Sequence, residues 1–204
     1  MGKDGTARAD ARREEIIDAC EKLYKTQSFK EITLKDIGRE TTFTRTSLYN
    51  YFSTREEIFL ALFQREYTRW GDELEEIYRR EALDKESFAA ALARSLSRRE
   101  NMLKLTSMNL FDIEENSSLE RLTEFKKCYG RSMRLVRACL KKFFPAMSEE
   151  KEDVFVFGFY PFLFGLYPYA HATEKQIAAM DKAGAEYPKK SIYELAEKTV
   201  LALL

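Results

Sequence analysis

From Arg12 to Thr26 the apolar residues Ile16, Ile17, Ala19, Cys20, Leu23 and Tyr24 recur at spacings of three and four, one face of an amphipathic helix. Residues 1–11 are small and polar, which predicts a frayed arm carrying Lys3 and Arg8. Thr33 followed by Asp36 reads as a capping box opening a second helix, which Thr41, Thr42 and Phe43 keep short. Thr44 caps a third helix to about Asn50, with Leu48, Tyr51 and Phe52 on its apolar face. Ser53 with Glu56 and Thr54 with Glu57 offer overlapping boxes for a long fourth helix, whose stripe runs through Ile58, Phe59, Leu62, Phe63, Tyr67, Trp70, Leu74, Ile77 and Tyr78. Asp84 opens a fifth helix with Phe88, Leu92 and Leu96 inward, and a shorter segment spans about Asn101 to Leu110. Ser117 with Glu120 opens a seventh to about Phe144, with Leu122, Phe125, Tyr129, Met133, Val136 and Leu140 inward and Pro145 ending it. Ser148 starts an aromatic helix to about Tyr169 that Pro161 should kink; Thr173 with Gln176 and Ser191 with Glu194 start the last two.

No stretch alternates with period two, so the expected fold is all-α. It divides into an N-terminal three-helix head, residues 1–53, and a larger helical bundle, residues 54–204. Two short helices joined by a tight turn at Thr41–Phe43 make a helix-turn-helix, whose second helix enters the major groove of DNA.

Charge changes this picture only locally. Lys plus Arg and Asp plus Glu number 34 each, so net charge favours no nucleic acid, but the stretch from Thr41 to Arg55 holds no carboxylate. A surface of this kind approaches phosphates without repulsion. The recognition helix would expose Arg45, Thr46, Ser47 and Asn50 as base-reading side chains. Thr33, Thr44, Tyr49, Tyr51 and Arg55 are hydroxyl or guanidinium donors at helix starts and flanks, where phosphate contacts set the register.

The residues themselves carry a resemblance. F-x-x-I-T-x-x-D-I, then F-T-x-T-S-L-Y-x-Y-F, then S-T-R-E-E-I-F resembles the N-terminal DNA-binding region of the TetR family of bacterial transcriptional regulators, over about residues 12–63. The resemblance implies a DNA-binding head followed by a ligand-binding and dimerisation bundle, usually of a repressor released by a small molecule. It marks Thr33, Tyr49 and Tyr51 as phosphate contacts and puts Arg55 where the family commonly has lysine. It also implies a homodimer joined through its last long helices, here Ser148 to Tyr169 and Ser191 to Leu204. Two residues depart from the pattern: Thr41-Thr42 replaces small turn residues, and Gly38 replaces a common alanine. A positive φ at Thr42 would strain such a turn, so the turn is expected to close differently.

The second half holds most of the aromatic residues. They pack as core and interface, or they enclose a mostly apolar effector between Phe63, Trp70, Leu103, Met108, Phe111, Tyr129, Phe159, Phe162 and Tyr167. The uncharged run Val154 to Ala170 is short for a membrane span and is interrupted by Gly158, Pro161, Gly165 and Pro168. Cys20, Cys128 and Cys139 form no CxxC, and with no leader peptide in view they fit a reducing cytoplasm. His171 is the sole histidine, so no metal or other cofactor and no catalytic residue is expected. The expected partners are a double-stranded DNA operator, a small-molecule effector and a second copy, with no membrane. The alternatives are a helical protein-interaction module without DNA binding and, less favoured by the side chains present, an enzyme.

Overall fold

The computed structural model describes residues 3–187 and 189–204, with the side chains of 3–6, 45, 108 and 109 outside the described set. Among the described residues all regular structure is helical, in two compact units that share the chain's long helices.

The first unit takes the chain up to Glu66 together with Asn109–Lys127. It contains α1 (Lys3–Tyr24), α2 (Leu34–Arg39), α3 (Arg45–Leu48) and the first part of α4 (Arg55–Tyr78). Helix α1 begins well before Arg12, correcting the expected frayed arm: Ala7, Ala9 and Ala11 are the strongest helix formers and fix no side-chain rotamers. Its inner face buries Ile16, Cys20 and Tyr24, and Ile32, Ile37, Leu48, Phe52 and Phe59 are buried in the same unit. The Tyr24 and Phe29 rings meet Phe59 at 5.4 and 4.7 Å. Arg65 on α4 ties α1 down by pairing with Glu14, Asp18 and Glu21, one side of three successive α1 turns. The boundary expected between residues 53 and 54 falls inside this unit, because Ile58, Phe59, Leu62 and Phe63 go on burying their side chains.

The second unit comprises Tyr67–Met108 and Cys128–Leu204. It holds α5 (Lys85–Ser97), α8 (Glu149–Ala170), α9 (Glu174–Ala183) and α10 (Ile192–Leu203), while α6 (Glu100–Glu115) and α7 (Leu119–Phe143) contribute to both units. Caps at Asp84, Ser148, Thr173 and Ser191 fix the helix starts where the sequence places them. Helix α6 extends past the expected Leu110, to where the Asn116 and Ser117 side chains donate to the Asp112 and Ile113 carbonyls. With the Ser117 hydroxyl so engaged, the cap of α7 passes to Ser118, whose Oγ accepts from the Arg121 N–H. Helix α8 continues through Pro161 and Pro168, each of which withholds an N–H from the carbonyl four residues earlier. Gly184 closes α9 at φ 64, a left-handed position open to a residue without Cβ.

The core of this unit is an aromatic chain. Phe88 meets Phe155, Phe155 meets Phe159, Phe159 meets Tyr160, and Tyr160 meets both Trp70 and Tyr129. Its polar tips are paired: Trp70 Nε1 donates to Ser95 Oγ at 3.0 Å, and Tyr160 and Ser132 share a hydrogen bond of 2.9 Å. Burial pushes the Cys139 thiol up to about 12 and that of Cys20 higher still, so both stay unreactive packing residues. Among the described residues no helix is long and apolar enough to cross a membrane.

Candidate functional site

The helix-turn-helix is built from short-range hydrogen bonds. Thr33 caps α2 with φ −108° and ψ 163°; its Oγ accepts from the Asp36 N–H while Asp36 accepts from the Thr33 N–H and hydroxyl. Those bonds hold the Asp36 carboxyl below the usual range, the hydroxyl of Thr33 being the larger cause. Thr44 caps α3 through the Ser47 N–H and also bonds the Ser47 hydroxyl at 2.9 Å.

The turn between them contains no left-handed residue. Thr41 Oγ donates to the Gly38 carbonyl and accepts from the Phe43 N–H. Thr42 gives both its N–H and its hydroxyl to one oxygen of Glu15, each at 2.9 Å. Threonine hydroxyls and a carboxylate from α1 thus close the turn without positive φ. The turn therefore does have a carboxylate beside it, one supplied from a distant part of the sequence and engaged by Thr42.

Around α3, Leu48 and Phe52 are buried while Thr46, Asn50 and Tyr49 are exposed, Tyr49 by 48%, and Ser47 is half-buried. The Arg45 side chain lies outside the described residues. Tyr51 is half-buried against Phe43 and accepts a hydrogen bond from Arg12, whose guanidinium also lies over the Phe43 ring. Arg13 lies over Phe52, its proton affinity lowered first by burial and then by Arg121. This places Arg12, Arg13 and Arg121 beside the C-terminal end of the recognition segment.

Arg55 has partners within the chain. One terminal nitrogen donates to the Phe29 and Ile32 carbonyls at 3.1 Å each, the rest of the group pairs with Glu56, and the plane covers Phe29 at 4.2 Å. A planar group with donors on all edges binds carbonyls as readily as phosphate. Here it pins the loop before α2.

The expected effector walls are distributed differently. Phe63 and Phe111 belong to the first unit, where Phe63 stacks on Phe125 at 4.7 Å and Phe111 is 83% exposed, α6 having turned Ile113 inward instead. Trp70, Leu103 and Phe159 are fully buried, with Trp70 and Phe159 packed into the aromatic chain and Tyr129 at its edge. Tyr167 stacks on His171, which caps α8 and lies 3.2 Å from Glu100. The Met108 side chain is outside the described residues. Phe162 lines an apolar groove of about 260 Å³ with Pro161, Gly165, Leu166, Tyr169 and Leu195. Beside it, Val154, Phe157, Pro161 and Phe164 form an exposed apolar stripe along α8.

Sequence spacing gave no sign of Arg12, Glu15 or Arg121 at this site. Each acts across a long separation in the chain, with no periodicity to mark it.

Comparison with known proteins agrees with this geometry. Residues 16–62 match the family described as bacterial regulatory proteins, tetR family, and residues 64–204 match the tetracyclin repressor-like C-terminal domain. The chain is 36% identical over 55 residues to the uncharacterized HTH-type transcriptional regulator YfiR of Bacillus subtilis, a match spanning 27% of each protein. The fold is similar to the fatty acid degradation regulator FadR of Bacillus halodurans, with TM-score 0.61 at 16% identity, covering 95% of this chain and 94% of that one. It is also similar to FadR of Bacillus subtilis, solved in complex with stearoyl-CoA, with TM-score 0.57 at 15% identity over 93% and 96% of the two chains. A helix-turn-helix head and a helical second unit, matched over residues 16–62 and 64–204 by the two family domains, identify this chain as a member of the TetR family of bacterial transcriptional regulators.

Proposed function

We propose that this chain is a homodimeric, ligand-responsive transcriptional repressor that reads double-stranded DNA with α3. The observation that carries the reading is the outer side of α3 and the turn after it, where Thr46, Tyr49 and Asn50 stand exposed and uncharged while Leu48 and Phe52 are buried. Arg45, Thr46, Ser47 and Asn50 read base edges; arginine is the usual partner of guanine, asparagine of adenine, and hydroxyls bond either. Tyr49, Tyr51, Thr44 and Thr33 hold phosphates and set the register. Arg55 supports the loop beneath them.

The α8 stripe fits a second copy, since an isologous interface requires one self-complementary face. Two recognition helices roughly 34 Å apart then enter successive major grooves. The apolar groove beside Phe162 favours a mostly apolar effector, and an acyl chain is the first class to screen, given the stearoyl-CoA bound to a regulator of the same fold. Such a ligand releases DNA when it binds the wrongly spaced dimer better than the reading one. As a regulator of bacterial transcription the protein works in the cytoplasm.

Replacing Tyr49 by phenylalanine removes only an exposed hydroxyl. The expected result is operator affinity lowered by roughly ten- to a hundredfold, one hydrogen bond to a charged group, with helix content unchanged. A gel-shift titration checks it, and unaltered binding would remove Tyr49 from the phosphate-binding set.

A further inference from the structure

The tip of the α6–α7 hairpin belongs to the same compact unit as the helix-turn-helix, although α6 and α7 are mostly helices of the second unit. Polar contacts hold it there. The Thr54 hydroxyl donates to the Asn116 carbonyl at 3.0 Å, the Ser118 N–H donates to Glu57 at 3.2 Å, and Arg121 reaches the Tyr51 carbonyl at 3.5 Å. Phe63 stacked on Phe125 gives them an apolar floor.

Glu57 is the centre of this arrangement. It is only 4% exposed, and its second oxygen accepts from the Ser53 N–H at 2.8 Å. One buried carboxylate therefore bridges backbone donors of two turns, the α3–α4 corner and the α6–α7 tip. Burial alone would raise its proton affinity, but the Ser53 and Ser118 donors and Arg121 outweigh burial and hold it ionised, the state in which such bonds are strongest. Ser53 follows Tyr51 and Phe52, the end of the recognition segment. The local requirement of α4 is already met at Thr54, whose Oγ accepts the Glu57 N–H. The bond to Ser118 thus exceeds what a helix start needs.

We propose that Glu57 is a positioning residue for DNA reading: its carboxylate fixes the α3–α4 corner to the α6–α7 tip. The proposal rests on the DNA-reading assignment above.

The test uses the full chain and an operator selected by the wild-type protein from a random duplex library. Ser118→Pro removes the tip donor while leaving the Ser53 bond, Ser118→Ala keeps the backbone donor, and Glu57→Gln weakens both bonds. Positioning predicts that Ser118→Pro and Glu57→Gln lose at least about fivefold in operator affinity, the low end of a coupling between sites. Binding to a random duplex at low salt, set by phosphate charge, stays unchanged, and Ser118→Ala, which loses the hydroxyl but keeps the backbone donor, loses less operator affinity than Ser118→Pro. Operator affinity retained in Ser118→Pro, or operator and random-duplex affinity falling together, overturns the joint and leaves the DNA reading standing. A wild type that enriches no sequence overturns both.

Discussion

Replacing Trp70 by alanine is expected to destabilise the second unit by about 3–5 kcal/mol, the usual cost of emptying a large aromatic site in a packed core. Trp70 has no exposed surface, and its ring meets Tyr67, Phe159 and Tyr160 at centroid distances of 5.8, 6.4 and 6.1 Å. Its substitution opens a cavity that rigid helices on every side cannot collapse to fill. The lost indole donor adds little, because Ser95 keeps its own bond to the Leu92 carbonyl at 2.8 Å. Trp70→Phe should therefore recover most of the loss. Urea unfolding followed by circular dichroism measures both variants, since the wild type has a single tryptophan and the variants lose that fluorescence signal. A loss below about 1 kcal/mol for alanine would mean that the aromatic chain is loosely packed.

Phe157→Glu is expected to leave the fold intact and to separate the dimer. Phe157 is 63% exposed, so the monomer loses little; substitutions at such positions usually stay within about 0.5 kcal/mol. In an isologous interface the same change places one carboxylate from each copy on the apolar stripe and desolvates both. Losing the second head also loses its tethered binding, so operator affinity should fall by roughly a hundredfold or more. Sedimentation shows the mass and fluorescence anisotropy the affinity. A dimer unchanged by Phe157→Glu would locate the interface elsewhere.

Much of the fold was legible because helix starts are written locally. Thr33 with Asp36, Thr173 with Gln176 and Ser191 with Glu194 form the boxes their spacing predicts, since cap and partner lie within one turn. Glu194 is held to about 2 by the Ser191 N–H and hydroxyl, a bond geometry that the sequence pattern already implied. Errors arose where a local rule had two solutions. Ser117 and Ser118 are both credible caps, and only the engagement of Ser117 with Ile113 decides between them.

The recognition face was legible for a related reason: Leu48 and Phe52 bury one side of a single short segment and leave Thr46, Tyr49 and Asn50 on the other. Its supports were not. Glu15 reaches Thr42, Arg121 reaches Tyr51, and Glu57 reaches Ser118 across separations of 27, 70 and 61 residues, which no periodicity records. The carbonyl partners of Arg55 were not legible either, because a guanidinium at a helix start serves a carbonyl as well as a phosphate. The effector walls were inferred from aromatic density, and density does not separate rings that pack on one another from rings that line a space. Trp70 and Phe159 do the former, Phe162 the latter, and Phe111 neither.

Selection of DNA from a random duplex library by the intact protein tests the central claim, that α3 of a dimer reads DNA. The expected product is an inverted repeat with half-site centres about 10 base pairs apart or a multiple of that, one helical turn each. Enrichment of no sequence at low salt, or of a single site lacking two-fold symmetry, would contradict it.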